Sequence, residues 1–264
     1  MKEYVARRKG ELKAEIALLG RKPGLTVIQV GHDAGSDSYI RGKRKDAEEL
    51  GFLFRHLWFD EAVEEKALVE AILKESSDPL VDGIIVQLPL PKRLDEKAIS
   101  HLIPLDKDVD GFLFDSPFDP CTPKGIVDYL AAVGFPFDGK NAVVIGRSDI
   151  VGKPLARLLT RKNMNVALLH SHTSEEDKKF YLGHADLVAV AIGREGYLDG
   201  RFPLKKDAFL IDVGINRGAD GKLHGDILPG REVAYQSPVP GGVGLLTRLS
   251  LMENVYQAYM EHQK

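Results

Sequence analysis

Short apolar runs alternate with longer amphipathic runs along nearly the whole chain, and this alternation limits the folds that the chain can adopt. Strand character is found in LTVIQV, FLFRHLWF, GIIVQLPLP, NAVVIG, NVALLH, DLVAVAIG and AFLIDVGI. Helical character is found in SYIRGKRKDAEELG, EEKALVEAILKES, DEKAISHLI, KGIVDYLAAVG and LLTRLSLMENVYQAYMEHQ. Strands that alternate with helices predict an α/β fold with parallel sheets and helices on both faces. Gly51 is predicted to end its helix in a left-handed conformation.

The segment DSPFDPCTP, residues 115–123, is the stretch richest in proline and turn residues. Such punctuation typically separates elements or domains, so the chain is predicted to divide there into two α/β lobes. Ligands in folds of this kind bind beyond the carboxyl ends of the strands, which predicts a cleft between the lobes.

The composition excludes several classes of protein. The chain has 264 residues, of which 44% are hydrophobic and 28% charged, and its formal net charge is -3. This balance provides no broad basic face for nucleic acid and no polybasic membrane signal. No apolar run approaches the roughly 20 residues that span a bilayer. The single cysteine, Cys121, excludes an intramolecular disulfide and the usual zinc-ligand spacings, so we expect a cytoplasmic protein without a metal site.

The stretch VVIGRSDIVGKPLARLL, from Val143, has the order strand, glycine turn and helix start that dinucleotide-binding units use. Its glycines, Gly146 and Gly152, are spaced differently from the usual fingerprint, and Ser148 stands where the second glycine would be. The match alone is weak, because the glycines could also close a tight turn without binding anything.

The following strand ends in LLHSHT and has no carboxylate there. In NAD sites an acidic residue at this point binds the ribose hydroxyl groups. Arg147 lies in the glycine turn, while Ser171 and Thr173 lie at the strand end. A guanidinium and hydroxyl groups bind a 2′-phosphate that a carboxylate would repel. The pattern therefore favours NADP over NAD.

Polar residues also occur at unexpected places in the first half. Tyr39 and Lys43 are four residues apart and share one helix face, although spacing alone favours a solvated lysine. Gln87 ends an apolar strand, where a polar side chain is unexpected. Three carboxylates, Asp106, Asp108 and Asp110, occupy one loop that lacks the glycine and glutamate of an EF-hand. Late in the chain, SPVPGGVG forms a rigid loop with few side chains, which lets backbone approach a flat ligand closely.

Taken in order, these segments resemble the bifunctional methylenetetrahydrofolate dehydrogenase/methenyltetrahydrofolate cyclohydrolase family. The motifs that carry the resemblance are the Ser36, Tyr39 and Lys43 set, VQLPLP, KDVDGF, PCTP, GRSxIVGKP, HSxT and PVPGGVG. They run from about Leu25 to Asn254. The resemblance reverses the interpretation of Lys43, which we now expect to be catalytic.

The resemblance implies a folate-binding catalytic domain over residues 1–120, completed by the C-terminal helix at about 246–264. A Rossmann-type NADP-binding domain would occupy residues 121–245. The implied reactions are oxidation of 5,10-methylenetetrahydrofolate with NADP and hydrolysis of the product to 10-formyltetrahydrofolate, within one-carbon metabolism and purine biosynthesis. The family also implies a homodimer.

Residue roles follow from the same resemblance. The implied catalytic residues are Lys43, Tyr39, Gln87 and Asp110. The implied cofactor-binding residues are Gly146, Arg147, Ser148, Val151, Gly152, Ser171, Thr173 and Ile215. The implied substrate-binding residues are Tyr39, Asp110, Pro240, Gly241 and Gly242.

The sequence departs from the family in the loop between DGF and PCTP, which is about ten residues shorter than in relatives, and in Leu245-Leu246, which replace the usual Pro-Met. Three other readings stay open at this point. They are a dehydrogenase with lost or weak cyclohydrolase activity, a relative that binds folate or nucleotide without turnover, and an unrelated NADP oxidoreductase acting on an amino acid or shikimate-like substrate, to which the ordered motifs leave little room.

Overall fold

The computed structural model describes residues 1–264, apart from the side chain of Ala34. The chain forms two compact units. The leading unit consists of Ala6–Cys121 and Arg248–Lys264, and the central unit consists of Met1–Val5 and Thr122–Thr247.

The helices and strands follow the alternation seen in the sequence. The helices are Lys2–Ile16 (α1), Ala34–Leu50 (α2), Glu65–Ser77 (α3), Glu96–Ser100 (α4), Cys121–Ala132 (α5), Gly152–Arg161 (α6), Glu175–Gly183 (α7) and Val243–His262 (α8). The strands are Gly24–Val30 (β1), Leu53–Phe59 (β2), Gly83–Val86 (β3), Asn141–Ile145 (β4), Asn165–Leu169 (β5), Leu187–Val190 (β6), Phe209–Asp212 (β7), Asn216–Arg217 (β8), Leu223–His224 (β9) and Tyr235–Gln236 (β10).

The leading unit is built on a parallel sheet in the order β2-β1-β3. Every residue of β1 and β3 is buried, as expected for parallel strands with both faces covered. One part of the core joins this sheet to α1, α2 and α8, and includes Leu251, Met252, Val255 and Ala258 from the last helix. The expectation that the final helix packs onto the first lobe is confirmed.

The ends of α2 have clear chemical causes. The Asp33 carboxylate accepts a hydrogen bond from the backbone N–H of Ser36 at 2.8 Å, which satisfies a donor that the first turn leaves free. Gly51 has φ 85°, and its N–H bonds back to the last turn. The predicted left-handed glycine is confirmed, and it fixes where the helix that carries Tyr39 and Lys43 ends.

The central unit contains a parallel sheet in the order β10-β7-β6-β4-β5 and a short antiparallel pair formed by β8 and β9. Strand β4, from which the glycine turn leaves, pairs with β5 on one side and β6 on the other. The predicted α/β class with parallel sheets is confirmed.

Two predicted helices differ in their bounds. The helix predicted over DEKAISHLI is a single turn that ends at Ser100, because Pro104 follows and disfavours helical backbone before it. The helix predicted from Lys124 begins at Cys121 instead. Pro123 is compatible with this start, since residues in a first helical turn need no backbone N–H.

No helix of the described residues combines the length and apolar character needed to cross a membrane.

Candidate active site

Lys43 and Gln87 form the central polar contact of the leading unit. Lys43 lies on α2 with only 8% of its surface exposed, whereas Arg41, Arg44 and Lys45 on the same helix are exposed. Its Nζ donates a hydrogen bond to Oε1 of Gln87 at 3.1 Å. The Gln87 Nε2 donates to the Leu88 carbonyl at 2.9 Å, which directs the amide oxygen toward the lysine. The interpretation of Lys43 as a solvated surface lysine is therefore wrong.

Ser36 and Tyr39 precede Lys43 on α2. The Ser36 hydroxyl donates to the same Leu88 carbonyl at 3.2 Å, so helix and strand end are joined at two points. Tyr39 remains 40% exposed. Partial burial raises the pKa of its phenol, so the hydroxyl stays protonated at neutral pH. Tyr39 thus offers an accessible aromatic face next to a buried amine.

Two carboxylates of the loop after α4, Asp108 and Asp110, have different surroundings. The Asp108 carboxylate is buried and accepts backbone N–H bonds from Leu113 at 2.9 Å and Phe112 at 3.4 Å. Burial raises the pKa of Asp108. Within the described residues, the half-buried carboxylate of Asp110 has no hydrogen-bond donor. Asp108 therefore serves the loop itself, and Asp110 is free to bind a ligand.

The described residues contain no group of three or more His, Cys, Asp or Glu side chains placed to hold a metal ion.

In the central unit, the turn between β4 and α6 requires both of its glycines. Gly146 has φ 117°, and a Cβ there would lie 2.3 Å from the Ala191 carbonyl oxygen. A Cβ on Gly152 would lie 2.0 Å from the Gly146 carbonyl oxygen. The Ser148 hydroxyl accepts N–H bonds from Val151 and Gly152 at 3.2 and 3.3 Å. Ser148 therefore caps the start of α6, which explains a serine where a glycine is usual.

Strand β5 ends in a polar cluster. Ser171 is exposed, and the Thr173 hydroxyl accepts the backbone N–H of His170 at 3.0 Å. Burial, together with the nearby charges of Arg147 and His172, lowers the pKa of His170. Arg147 is itself exposed, so its guanidinium lies beside the strand end and open to solvent.

The residues that sequence reasoning missed are two buried carboxylates. Asp212 ends β7 and accepts backbone N–H bonds from Gly214, Asp226 and Ile227 at 2.9–3.1 Å. Its own backbone N–H donates to the Ser237 hydroxyl at 2.7 Å. Burial raises the pKa of Asp212 to about 6. In the sequence, the sign of this role was that Asp212 is a carboxylate at the end of an apolar strand.

Asp226 is fully buried and gathers a second loop. Its carboxylate accepts backbone N–H bonds from Ile192, Gly193 and Arg194 at 2.7–3.0 Å, and a side-chain bond from Asn216 at 3.0 Å. These donors lie after β6 and in β8. Asp226 thus fixes the segment that follows β6 and the segment that contains the exposed Ile215.

Replacing Asp226 with asparagine should lower the free energy of unfolding by about 1–3 kcal/mol, because an amide NH2 would face N–H donors and leave at least one of them unpaired. Chemical denaturation measures this change. Asp220→Asn is the matched control, since that carboxylate lies exposed on the loop between β8 and β9. Equal stability of Asp226→Asn and wild type would contradict the role assigned to Asp226.

The PVPGGVG loop is shaped by its glycines. Gly241 has φ 89°, and a Cβ on Gly242 would lie 2.1 Å from the Pro238 carbonyl oxygen. Pro240 is exposed. The loop therefore presents backbone rather than side chains, as the sequence predicted.

The central unit has a parallel sheet in which one strand leads through a two-glycine turn into a helix. The leading unit has a buried amine beside an accessible aromatic ring. Together these features define a two-domain α/β enzyme. The chain belongs to the tetrahydrofolate dehydrogenase/cyclohydrolase family. The model of the family's catalytic domain matches residues 1–110, and that of its NAD(P)-binding domain matches residues 120–263. The resemblance drawn from the motifs is confirmed.

Individual relatives agree over nearly the whole length. The chain is 41% identical to bifunctional protein FolD 2 of Myxococcus xanthus over 277 residues, which cover 99% of this chain and 95% of the relative. It is 41% identical to bifunctional protein FolD of Bacillus subtilis over 272 residues, covering 97% and 93% of the two chains.

Solved structures agree with the fold. The bifunctional FolD enzyme of Campylobacter jejuni superposes with a TM-score of 0.94 at 35% identity, covering 98% of this chain and 97% of the other. The Trypanosoma brucei enzyme, solved with NADP cofactor and an inhibitor, gives a TM-score of 0.93 at 31% identity and covers 99% and 96% of the two chains.

Proposed function

We propose that this protein oxidises 5,10-methylenetetrahydrofolate with NADP and hydrolyses the resulting methenyl cation to 10-formyltetrahydrofolate. The observation that carries the proposal is the buried Lys43 amine held by Gln87 at 3.1 Å beside the accessible ring of Tyr39. Membership in a family of dehydrogenase/cyclohydrolases supports both reactions.

The oxidation needs positioning rather than a strong base. The methylene carbon lies between two nitrogens, whose lone pairs stabilise the cation that remains when hydride leaves. NADP, when bound, supplies the hydride acceptor. The residues of the chain therefore have to bind and orient the two reactants.

The central unit has the features that fit NADP. The turn at Gly146 and Gly152 has no side chain in the way, and it leads into α6, whose N-terminus suits a pyrophosphate. Ser148 and Val151 shape that turn. Arg147, Ser171 and Thr173 would hold the 2′-phosphate at the end of β5.

Two further segments of the central unit would bind flat ligand groups. Ile215 is an exposed apolar side chain on a segment that Asp226 fixes through Asn216, and it would contact the cofactor. The backbone around Pro240, Gly241 and Gly242 would approach the substrate closely.

The hydrolysis requires a proton relay, and Lys43 is the residue for it. Water attacks the methenyl carbon and loses one proton, one carbon–nitrogen bond breaks as the carbinol oxygen becomes the formyl carbonyl, the released ring nitrogen gains a proton, and the second water proton leaves to solvent. The Lys43 amine would accept the proton from water and return it to that nitrogen. Gln87 would hold the amine in place through its Oε1.

Asp110 and Tyr39 would bind the substrate ring system. The Asp110 carboxylate, which no donor of the described residues occupies, matches the amino and ring N–H groups of a pterin in a bidentate arrangement. The half-exposed ring of Tyr39 would pack against the flat substrate.

One assay tests both activities. The protein is mixed with methylenetetrahydrofolate and NADP, and the absorbance of NADPH and of the methenyl compound are followed together. NADPH formation with transient methenyl absorbance supports the proposal. Persistent methenyl absorbance would mean a dehydrogenase without useful cyclohydrolase activity, and no NADPH would mean a binding protein without turnover.

We expect NADP to bind far more tightly than NAD, and Arg147→Ala to reduce that preference by about 10–100-fold, because a charge-assisted hydrogen bond to a phosphate is worth about 1.5–3 kcal/mol. The ratio of kcat/KM for the two cofactors measures the preference. Arg201→Ala is the control, since that exposed arginine pairs with Asp199 elsewhere in the central unit. Equal use of both cofactors by the wild type would contradict this interpretation of the β5 end.

The homodimer and the cytoplasmic location stay predictions that rest on the family resemblance and the composition.

A further inference from the structure

Arg248, on α8, lies over the face of α2 that carries the proposed catalytic residues. A Cβ built on Gly42 would lie 2.0 Å from Nη1 of Arg248 and 3.1 Å from its Cζ. Gly42 comes three residues after Tyr39 and shares its helix face, next to the position of Lys43. The Arg248 guanidinium can occupy this position because Gly42 has no side chain.

A buried carboxylate holds Arg248 there. Its Nε lies 3.0 Å from Oδ2 of Asp46, whose side chain is only 3% exposed, and this contact is an ion pair without the alignment of a hydrogen bond. The other oxygen of Asp46 pairs with Nζ of Lys9 at 2.6 Å. Asp46 lies two turns after Tyr39 on the same face of α2. The guanidinium is therefore fixed at one end by an ion pair that solvent hardly reaches.

The other end of the guanidinium is uncommitted. Within the described residues, neither Nη of Arg248 has a hydrogen-bond acceptor, and the side chain is 24% exposed. The positive charge of Arg248 acts on Tyr39, since it opposes the rise that burial causes in the pKa of that phenol. A preorganised cation with free donors thus lies near an accessible aromatic ring.

We propose that Arg248 is a substrate-binding residue whose Nη groups hold a glutamate carboxylate of the tetrahydrofolate tail. The inference rests on the proposed function, because it takes Tyr39 and Lys43 as the binding site of the ring system. The tail carboxylates are the anionic groups of such a substrate, and a planar guanidinium with two free donors matches a carboxylate. If Arg248 only joined the two helices through its ion pair with Asp46, the contact at Nε would suffice and no space for the Nη groups would be needed at Gly42.

The test compares substrates that differ in their tails. Arg248→Met should raise KM for methylenetetrahydrofolate about tenfold or more, as expected for the loss of a charge-assisted pair, with kcat changed less than about twofold. Arg248→Lys should recover part of the loss. Inhibition by 6-methyltetrahydropterin, which has the ring but no tail, should be the same in all variants.

Lys9→Met is the matched control, since it removes the other cation paired with Asp46 and leaves Arg248 in place. It should lower the unfolding temperature without changing KM. A KM for Arg248→Met equal to that of the wild type would overturn the inference, and so would an equal loss of affinity for the tail-less pterin.

Different measurements test the proposed function and the role of Arg248. If the wild type showed no turnover, the proposed function would fail. The affinities of wild type and Arg248→Met for tetrahydrofolate and 6-methyltetrahydropterin, measured by calorimetry, would still decide the role of Arg248. A loss confined to tetrahydrofolate supports that role, and no loss contradicts it.

Discussion

Replacing Lys43 with methionine is expected to remove hydrolysis of the methenyl compound and to leave hydride transfer measurable. Methionine has a similar length but cannot accept or donate a proton. Proton transfer by a positioned side chain contributes typically about 10²–10⁴-fold, so cyclohydrolase kcat should fall by that factor. The oxidation needs orientation rather than a base, and a methionine that fills the same space should preserve most of it.

The two reactions can be measured separately in this variant. Methenyl absorbance should accumulate with NADPH and then decay about 10²–10⁴-fold more slowly than with the wild type. Lys45→Met is the matched control, because Lys45 is an exposed lysine two residues further along α2. Full cyclohydrolase turnover in Lys43→Met would remove Lys43 from the mechanism and leave the proposed hydrolysis without a proton relay.

Gly152→Ala is expected to have the opposite effect, with loss of the NADP-dependent step and retention of hydrolysis. The added Cβ would lie 2.0 Å from the Gly146 carbonyl oxygen, a contact that requires the backbone to move. The turn that precedes α6 would shift away from the position in which it can receive a pyrophosphate. We expect the affinity for NADP to fall by about 100-fold or more, since each lost hydrogen bond to a charged phosphate costs about 1.5–3 kcal/mol.

Gly200→Ala is the control for this change. A Cβ on Gly200 would meet only the Arg231 side chain, at 3.7 Å, which is ordinary van der Waals contact. Calorimetric titration with NADP and direct addition of methenyltetrahydrofolate separate the two outcomes. An unchanged affinity for NADP in Gly152→Ala would mean that the turn does not bind the cofactor.

Some elements of the fold can be predicted from the sequence because they depend on residues that are close together in the chain. The all-buried strand β1 is encoded by a continuous apolar run, and the end of α2 by one glycine, Gly51, with a left-handed backbone. The short α4 was not foreseen, because a following proline overrides an amphipathic pattern.

The contacts that could not be predicted are those between residues that are far apart in the sequence. Gln87 stood out as a polar residue at a strand end, but only the fold brings its Oε1 to Lys43. In the sequence, nothing distinguishes Asp226 from the other acidic residues. Only the structure shows that its carboxylate accepts hydrogen bonds from four donors. The ion pair of Asp46 with Arg248 joins α2 to the last helix, and no periodicity or spacing indicates such a partner.

The core of the leading unit is built from two segments that are far apart in the sequence, Ala6–Cys121 and Arg248–Lys264. Leu251, Met252, Val255 and Ala258 pack with residues of β1 and α2, although the Thr122–Thr247 segment of the central unit lies between them in the sequence. A ribosome that has released Cys121 has therefore not yet supplied the residues that close this core, while the central unit, up to Thr247, is translated first. A premature stop anywhere before α8 would leave an open apolar surface in the half of the protein that holds Lys43.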